Sequence, residues 1–246
     1  MPTHPAPALL YPDVADRGSL AAALRAAADG RLDAVPVSSS DTAPLMHAVV
    51  GTSLPHRESL RVNAWVHKRR WSIRGTESFQ SLALVDGETD DLAELAEAAR
   101  AWHDGLPLEE IRRAAPFVHL TGRFEVPDRD PVRVTQSEWQ HLRREADELE
   151  YPWRETHQAL IETAYAEPAL RALYPFTSHW ALRFATATRP RPTVVGPMLS
   201  ARDDGTYGVR WSLLDNDLGP FATAREAVAE AVRHLPPGLG PVTLGG

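Results

Sequence analysis

The hydrophobic pattern of this chain changes period twice, and in the same order both times. Between residues 60 and 87 the runs LRVNAWVH, RRWSIRG and SFQSLALVDG alternate apolar and polar residues, with charged or glycine-containing breaks between them. That period of two predicts three antiparallel strands. The next segment, TDDLAELAEAARAWHDG, repeats Leu92, Leu95, Ala96, Ala99 and Trp102 at helical spacing and stops at Gly105, with Thr89 placed to cap its start. The last third follows suit: SHWALRFATATR, PTVVGPMLSAR and GTYGVRWSLL read as strands, and FATAREAVAEAVRHLP reads as a helix with Thr223 and Glu226 in capping-box spacing.

Between these modules the sequence is helical. LPLEEIRRAAP predicts a short helix, and TQSEWQHLRREADELEYPW a longer one, with Thr135 and Glu138 as its capping box and Trp139, Leu142, Ala146 and Leu149 on one apolar face. Pro152 suits the first turn of a third helix, PWRETHQALIETAYAE, which Pro168 closes. Ahead of everything, residues 1–15 read as a loose lead-in, SLAAALRAAADG as a short helix ending on Gly30, and LDAVPV as a strand, while 45–51 fits strand or helix. The tail LPPGLGPVTLGG reads as extended. The expectation is an α+β fold: two β-β-β-α modules, residues 1–106 and 174–246, bracketing a central linker and helical segment at 107–173.

Composition narrows the chemistry. The chain has 246 residues, no cysteine and a formal net charge of -7, and all its basic residues but Lys68 are arginines. Thiol nucleophiles, disulfides and thiolate-held metals are excluded, Schiff-base catalysis is restricted to one turn lysine, and the acidic balance argues against general nucleic-acid binding. No phosphate-cradling loop, zincin helix, nucleophile elbow, EF-hand loop or dinucleotide fingerprint is present. No cofactor is expected. The opening lacks a basic region followed by an apolar run, and no stretch approaches the ~20 apolar residues of a membrane span. These features read as a cytoplasmic protein with no membrane partner.

The organising stretch is FVHLTGRFEVPDRDPVRVTQSEW, residues 117–139. It places His119, Arg123, Glu125, Asp128 and Asp130 within twelve residues. If 117–126 is extended, odd positions share a face, so His119, Arg123 and Glu125 project together. A histidine beside a carboxylate suits proton transfer and a nearby arginine suits an anionic group. The same residues suit a structural role, with Arg123 and Glu125 pairing with Asp128 or Asp130 to fix a proline-bounded turn. A second cluster, Tyr174, Ser178, His179, Trp180 and Arg183, has the aromatic and arginine character of a binding wall, although Trp180, Leu182 and Phe184 also alternate as one face of a core strand. The acidic run 86–91 reads as a solvated helix start, and the tryptophans as packing groups.

The phrases HLTGRFEVPDRDP, ALRALYPFTSHWALRF and AVRHLPPGLGP, with LYPDVADRGSLAAAL and LALVDGETDDLAELAEAARAWHDG, resemble a family of uncharacterised bacterial proteins labelled as natural-product biosynthesis proteins. The resemblance implies an accessory or tailoring role in secondary metabolism and brings no catalytic residues with it. The expected function is therefore an accessory protein that binds a small-molecule or peptide intermediate, or a biosynthetic enzyme, in a cleft between halves. Arg123, Asp128, Asp130, Tyr174, His179, Trp180 and Arg183 are its binding residues. One alternative is a tailoring enzyme using His119 and Glu125 for acid-base chemistry; another is an immunity or protein-interaction module.

Overall fold

The structure, a computed structural model, describes residues 5–212 and 217–246. Residues 1–4 of the expected lead-in and 213–214 of the expected third strand of the last module lie outside the described residues. The chain separates into two compact units, residues 1–121 and 122–246. In sequence terms, the segment 107–173 divides between them and is not a body of its own. No helix among the described residues is long and apolar enough to cross a membrane.

The first unit runs α1 (Pro7–Leu10), α2 (Pro12–Ala15), α3 (Leu20–Ala27), β1 (Val37–Ser39), β2 (His47–Val50), β3 (Leu60–Ala64), β4 (Trp71–Thr76), β5 (Ala83–Thr89), α4 (Leu92–His103), α5 (Leu108–Ala114) and β6 (Val118–Leu120). Its six strands lie in chain order in one antiparallel sheet, so 45–51 resolves as strand. The alternation seen in the sequence becomes burial: Leu60, Val62 and Ala64 of β3 face the core, as do Trp71 and Ile73 of β4. Trp102 of α4 seats on bare β4 backbone at Gly75, where a Cβ would come within 2.5 Å of the indole ring. That close approach explains why glycine stands in mid-strand. The cap of α4 is Asp91, whose carboxylate accepts from the Ala93 and Glu94 N–H groups; Thr89 belongs to β5 and its hydroxyl donates to Glu94. Residues 7–15 are no loose lead-in: Tyr11 is fully buried, its hydroxyl 2.8 Å from the Trp65 carbonyl oxygen and accepting from the Arg70 N–H.

The second unit runs α6 (Pro131–Glu148), α7 (Arg154–Ala166), α8 (Pro168–Arg171), β7 (Tyr174–Ser178), β8 (Ala181–Ala185), β9 (Val194–Ala201), β10 (Tyr207–Arg210), β11 (Asp217–Phe221) and α9 (Ala224–Arg233). Its five strands are also antiparallel and in chain order. It has two strands more than the spacing predicts: YPFTS is a strand in its own right, and Asp217–Phe221 adds another after the predicted third. The YPFTS strand turns into β8 through His179 and Trp180, both with positive φ (51° and 65°), the backbone a two-residue hairpin needs. Trp180 therefore leaves the core face, 39 % exposed, while Leu182 and Phe184 stay buried.

α6 begins four residues before Thr135. Asp130 caps it by accepting from the Val132 and Arg133 N–H groups, and Pro131 occupies the first turn. Thr135 and Glu138 are thus interior, buried helical positions. The Thr223–Glu226 capping box of α9 is present as the spacing predicts. The tail is pinned: Val242 is buried beside Val134, Tyr174 and Phe176, and Thr243 makes a parallel bridge to Ala187.

Replacing the cap by Asp130→Ala is expected to lower the stability of the second unit by about 1 kcal/mol, read by denaturant unfolding. An unchanged midpoint would contradict this start of α6.

Candidate functional site

The ionisable residues of the organising stretch do not form one strand face, because β6 ends at Leu120. His119 stands across from Asp86 of β5, its Nδ1 3.1 Å from the carboxylate, on an exposed part of the first unit's sheet. Arg123 and Glu125 lie beyond the unit boundary, in non-regular chain that packs on α6. Arg123 makes a bidentate pair with Glu138, Nε and Nη2 lying 2.7 and 2.9 Å from its two carboxylate oxygens. Both side chains are nearly buried, 11 % and 5 % exposed. Beside them the Ser137 hydroxyl donates to the Phe124 carbonyl and accepts from the Phe124 N–H, so one turn of α6 clamps the incoming chain. Asp128 pairs with Arg133, and Asp130 is the cap already described. Arg123 thus pairs with an acid fifteen residues away inside a helix.

Tyr174 of β7 is fully buried in the same unit. Burial, reinforced by the Glu138 carboxylate, pushes its hydroxyl pKa well above the ordinary phenol value, against the opposing pull of Arg189 and Arg123. One residue from each sequence cluster, Arg123 and Tyr174, therefore shares an electrostatic environment. The others diverge. Arg183 of β8 is half-buried, its guanidinium 6.0 Å from the Phe176 ring. His179 is exposed in the hairpin turn, and Trp180 joins Tyr151, Trp153 and His157 in a cluster of rings. Tyr151 stacks on Trp153 at 5.5 Å, and Trp180 stands nearly perpendicular to both. Beneath them His157 is 1 % exposed, and burial lowers its pKa from 6.5 to about 4.

Another place in the second unit has the features of a small-molecule site. A cavity of about 570 Å³ opens on α6, within the ~300–1,000 Å³ range usual for ligand pockets. Val132, Thr135, Gln136 and Trp139 line it from one helix face, at spacings of three and four residues. Tyr165 and Pro168 come from α7 and α8, Arg171 and Ala172 from the end of α8, and Pro241 and Val242 from the tail. The walls are mainly apolar and aromatic. Trp139 is buried 5.6 Å from the Tyr165 ring, and its indole N–H donates to the Arg171 carbonyl at 3.2 Å.

Three polar side chains reach this wall without a hydrogen-bond or acid partner among the described residues: the Thr135 hydroxyl, which is buried, the Gln136 amide and the Arg171 guanidinium. Arg143, 4.5 Å from the Tyr165 ring, is by contrast already committed to a bidentate pair with Glu162. Arg171 sits 5.9 Å from the Tyr165 ring and is exposed. The arrangement is an apolar slot with a cation and two hydrogen-bonding groups, the chemistry that recognises an organic anion. None of its residues was among those the sequence marked for binding. The available signal was Val132, an apolar residue on the exposed start of α6 and 62 % exposed, followed by Thr135, Gln136 and Trp139 in helical register.

Among the described residues, no three histidine or carboxylate side chains are grouped so as to hold a metal ion. Residues 133–246 match a model described as "Family of unknown function (DUF6193)", which covers somewhat under half of the chain and every lining residue of the cavity except Val132. No curated protein and no solved structure matches the chain.

Two outcomes follow from the side chains that stay out of the cavity. Arg123→Ala leaves the Glu138 carboxylate buried without its cation and is expected to destabilise the second unit by about 3–5 kcal/mol. Arg123→Met with Glu138→Leu should recover most of that loss in the same unfolding measurement. His157 is neutral in the fold but protonates near pH 6.5 when unfolded, so stability is full above pH 6.5 and falls as pH drops toward about 4. The loss is roughly 3 kcal/mol for a shift of this size. His157→Phe should flatten that part of the stability–pH curve, and parallel curves for the two proteins would refute the assignment.

Proposed function

We propose that the protein is a binding module whose second unit holds a small organic anion with an apolar body. The observation that carries this reading is the cavity on α6, where aromatic walls meet the Arg171 guanidinium, Gln136 amide and Thr135 hydroxyl, none with a hydrogen-bond or acid partner among the described residues. Burial of the body against Trp139 and Tyr165 supplies non-directional affinity at roughly 25 cal/mol per Å² of apolar surface. The guanidinium and amide fix which end of the ligand faces outward. In the setting implied by the sequence resemblance, an accessory role in bacterial natural-product biosynthesis, the bound molecule is an acidic intermediate, presented to or protected from a biosynthetic enzyme. His119 and Glu125 take no part in this reading, which rests on the cavity residues alone.

Titration calorimetry with 2-naphthoate, an anion with a flat apolar body, tests the proposal. Saturable binding is expected, with neutral 2-naphthol weaker. Arg171→Ala should reduce affinity about tenfold, which corresponds to roughly 1.4 kcal/mol, while leaving the unfolding midpoint in place because this arginine is exposed. Absence of saturable binding, or equal binding by the Arg171→Ala variant, would overturn it.

A further inference from the structure

A second cavity of about 480 Å³ lies against the first. The two share Ala172 and Pro241 as wall residues, so one closes where the other begins. Their linings differ in kind. The first carries the cation and the hydrogen-bonding groups; the second is bounded by side chains such as Ala169, Leu173, Val232, Leu235 and Leu239, with no charged or hydrogen-bonding side chain among them. What stands between the two is the tail.

That stretch of tail is held by side-chain packing, with Leu239 against the core, more than by its backbone. From Pro236 to Val242 it makes no backbone hydrogen bond among the described residues, and three of its seven positions are prolines, which have no N–H to give. Its ends are held. Leu235 packs against Gly196, where a Cβ would lie 2.8 Å from the leucine side chain. Val242 is buried and the Thr243 N–H donates to the Thr186 carbonyl at 2.9 Å, while the Thr188 N–H donates to the Thr243 carbonyl at 3.0 Å. The middle of the segment is therefore a strap over two contiguous cavities.

We propose that these cavities form one channel for an alkyl-tailed anion, with the head group at Arg171 and Gln136 and the chain passing Ala172 and Pro241 beneath the strap into the apolar pocket. This rests on the anion pocket proposed for the first cavity and narrows its ligand from any apolar-bodied anion to a straight-chain amphiphile. The polarity gradient carries the inference. A compact anion satisfies the first cavity alone, whereas a chain also takes up the second, whose apolar lining offers nothing to a polar group.

The test is a series of straight-chain carboxylates of increasing length, each below its micelle concentration, measured on the full chain by displacement of bound 2-naphthoate. Affinity is expected to rise about fourfold per added methylene until the second cavity is filled, then to level off. Ala169 is exposed and lines only the second cavity, so Ala169→Trp should bring the plateau to shorter chains and leave 2-naphthoate affinity unchanged. The smaller change Ala169→Leu should act in the same direction if the tryptophan variant does not fold. Naphthoate binding with a flat chain-length series, or a plateau that neither variant moves, overturns the channel while leaving the anion pocket standing. Failure of both naphthoate and the alkyl series to bind overturns both.

Discussion

The hydrogen bond from the Trp139 indole to the Arg171 carbonyl ties together the parts on which the proposed site depends. Trp139 projects from the middle of α6, packs toward Tyr165 of α7 and Phe184 of β8, and ends on the last residue of α8. A helix as short as α8 has little stability of its own, since the cost of nucleation is barely offset within one turn. Its position comes from Leu170 in the core, from the Glu167 side chain that caps its start and from this single indole donor at its end. By fixing the backbone of Arg171, Trp139 also anchors the stem from which the guanidinium extends. The floor of the cavity and the root of its arginine are consequently held by the same residue.

A different logic governs the residues with the most conspicuous charge. Arg123 and Glu138 pair where both are almost excluded from water, and two hydrogen bonds between Ser137 and Phe124 lie next to them. Such a pair repays its desolvation only when the geometry is good and the remaining lone pairs are met, which the bidentate contact provides. Its effect is to seat the chain entering the second unit on the first turns of α6. That in turn presents Val132, Thr135, Gln136 and Trp139 on the helix face that the tail and α8 close over. The polar cluster thus orients the site from behind.

Sequence patterning reached the secondary structure better than the site. Leu60, Val62 and Ala64 alternate into the core as their spacing implies, and the Thr223–Glu226 box caps α9. α6 was misplaced at its start because two cap patterns compete within six residues. The spacing Thr135–Glu138 matches a capping box, but Asp130 followed by Pro131 supplies a carboxylate acceptor and a residue with no N–H to satisfy, and that pair begins the helix. The alternative reading of Trp180 as part of a core face failed because alternation cannot register a two-residue turn made of non-glycine residues with positive φ. His119, Arg123 and Glu125 lay on one face only on the premise of a continuous strand, and β6 is three residues long.

What the sequence by itself determined is the α+β class, two antiparallel sheets with helices between them, and the absence of cysteine chemistry, because hydrophobic period and residue type are local properties that survive in any context. What only the tertiary structure decided is which side chains are used up. Arg123, Asp128 and Asp130 look available in the sequence and are engaged by Glu138, by Arg133 and by the α6 backbone. Arg171 looks ordinary and, among the described residues, stands without an acid on the wall of a cavity. The difference lies in partners brought from distant parts of the chain: Tyr165, Ala172 and Pro241 join one face of α6 only when the unit folds, and no spacing along the sequence encodes that meeting.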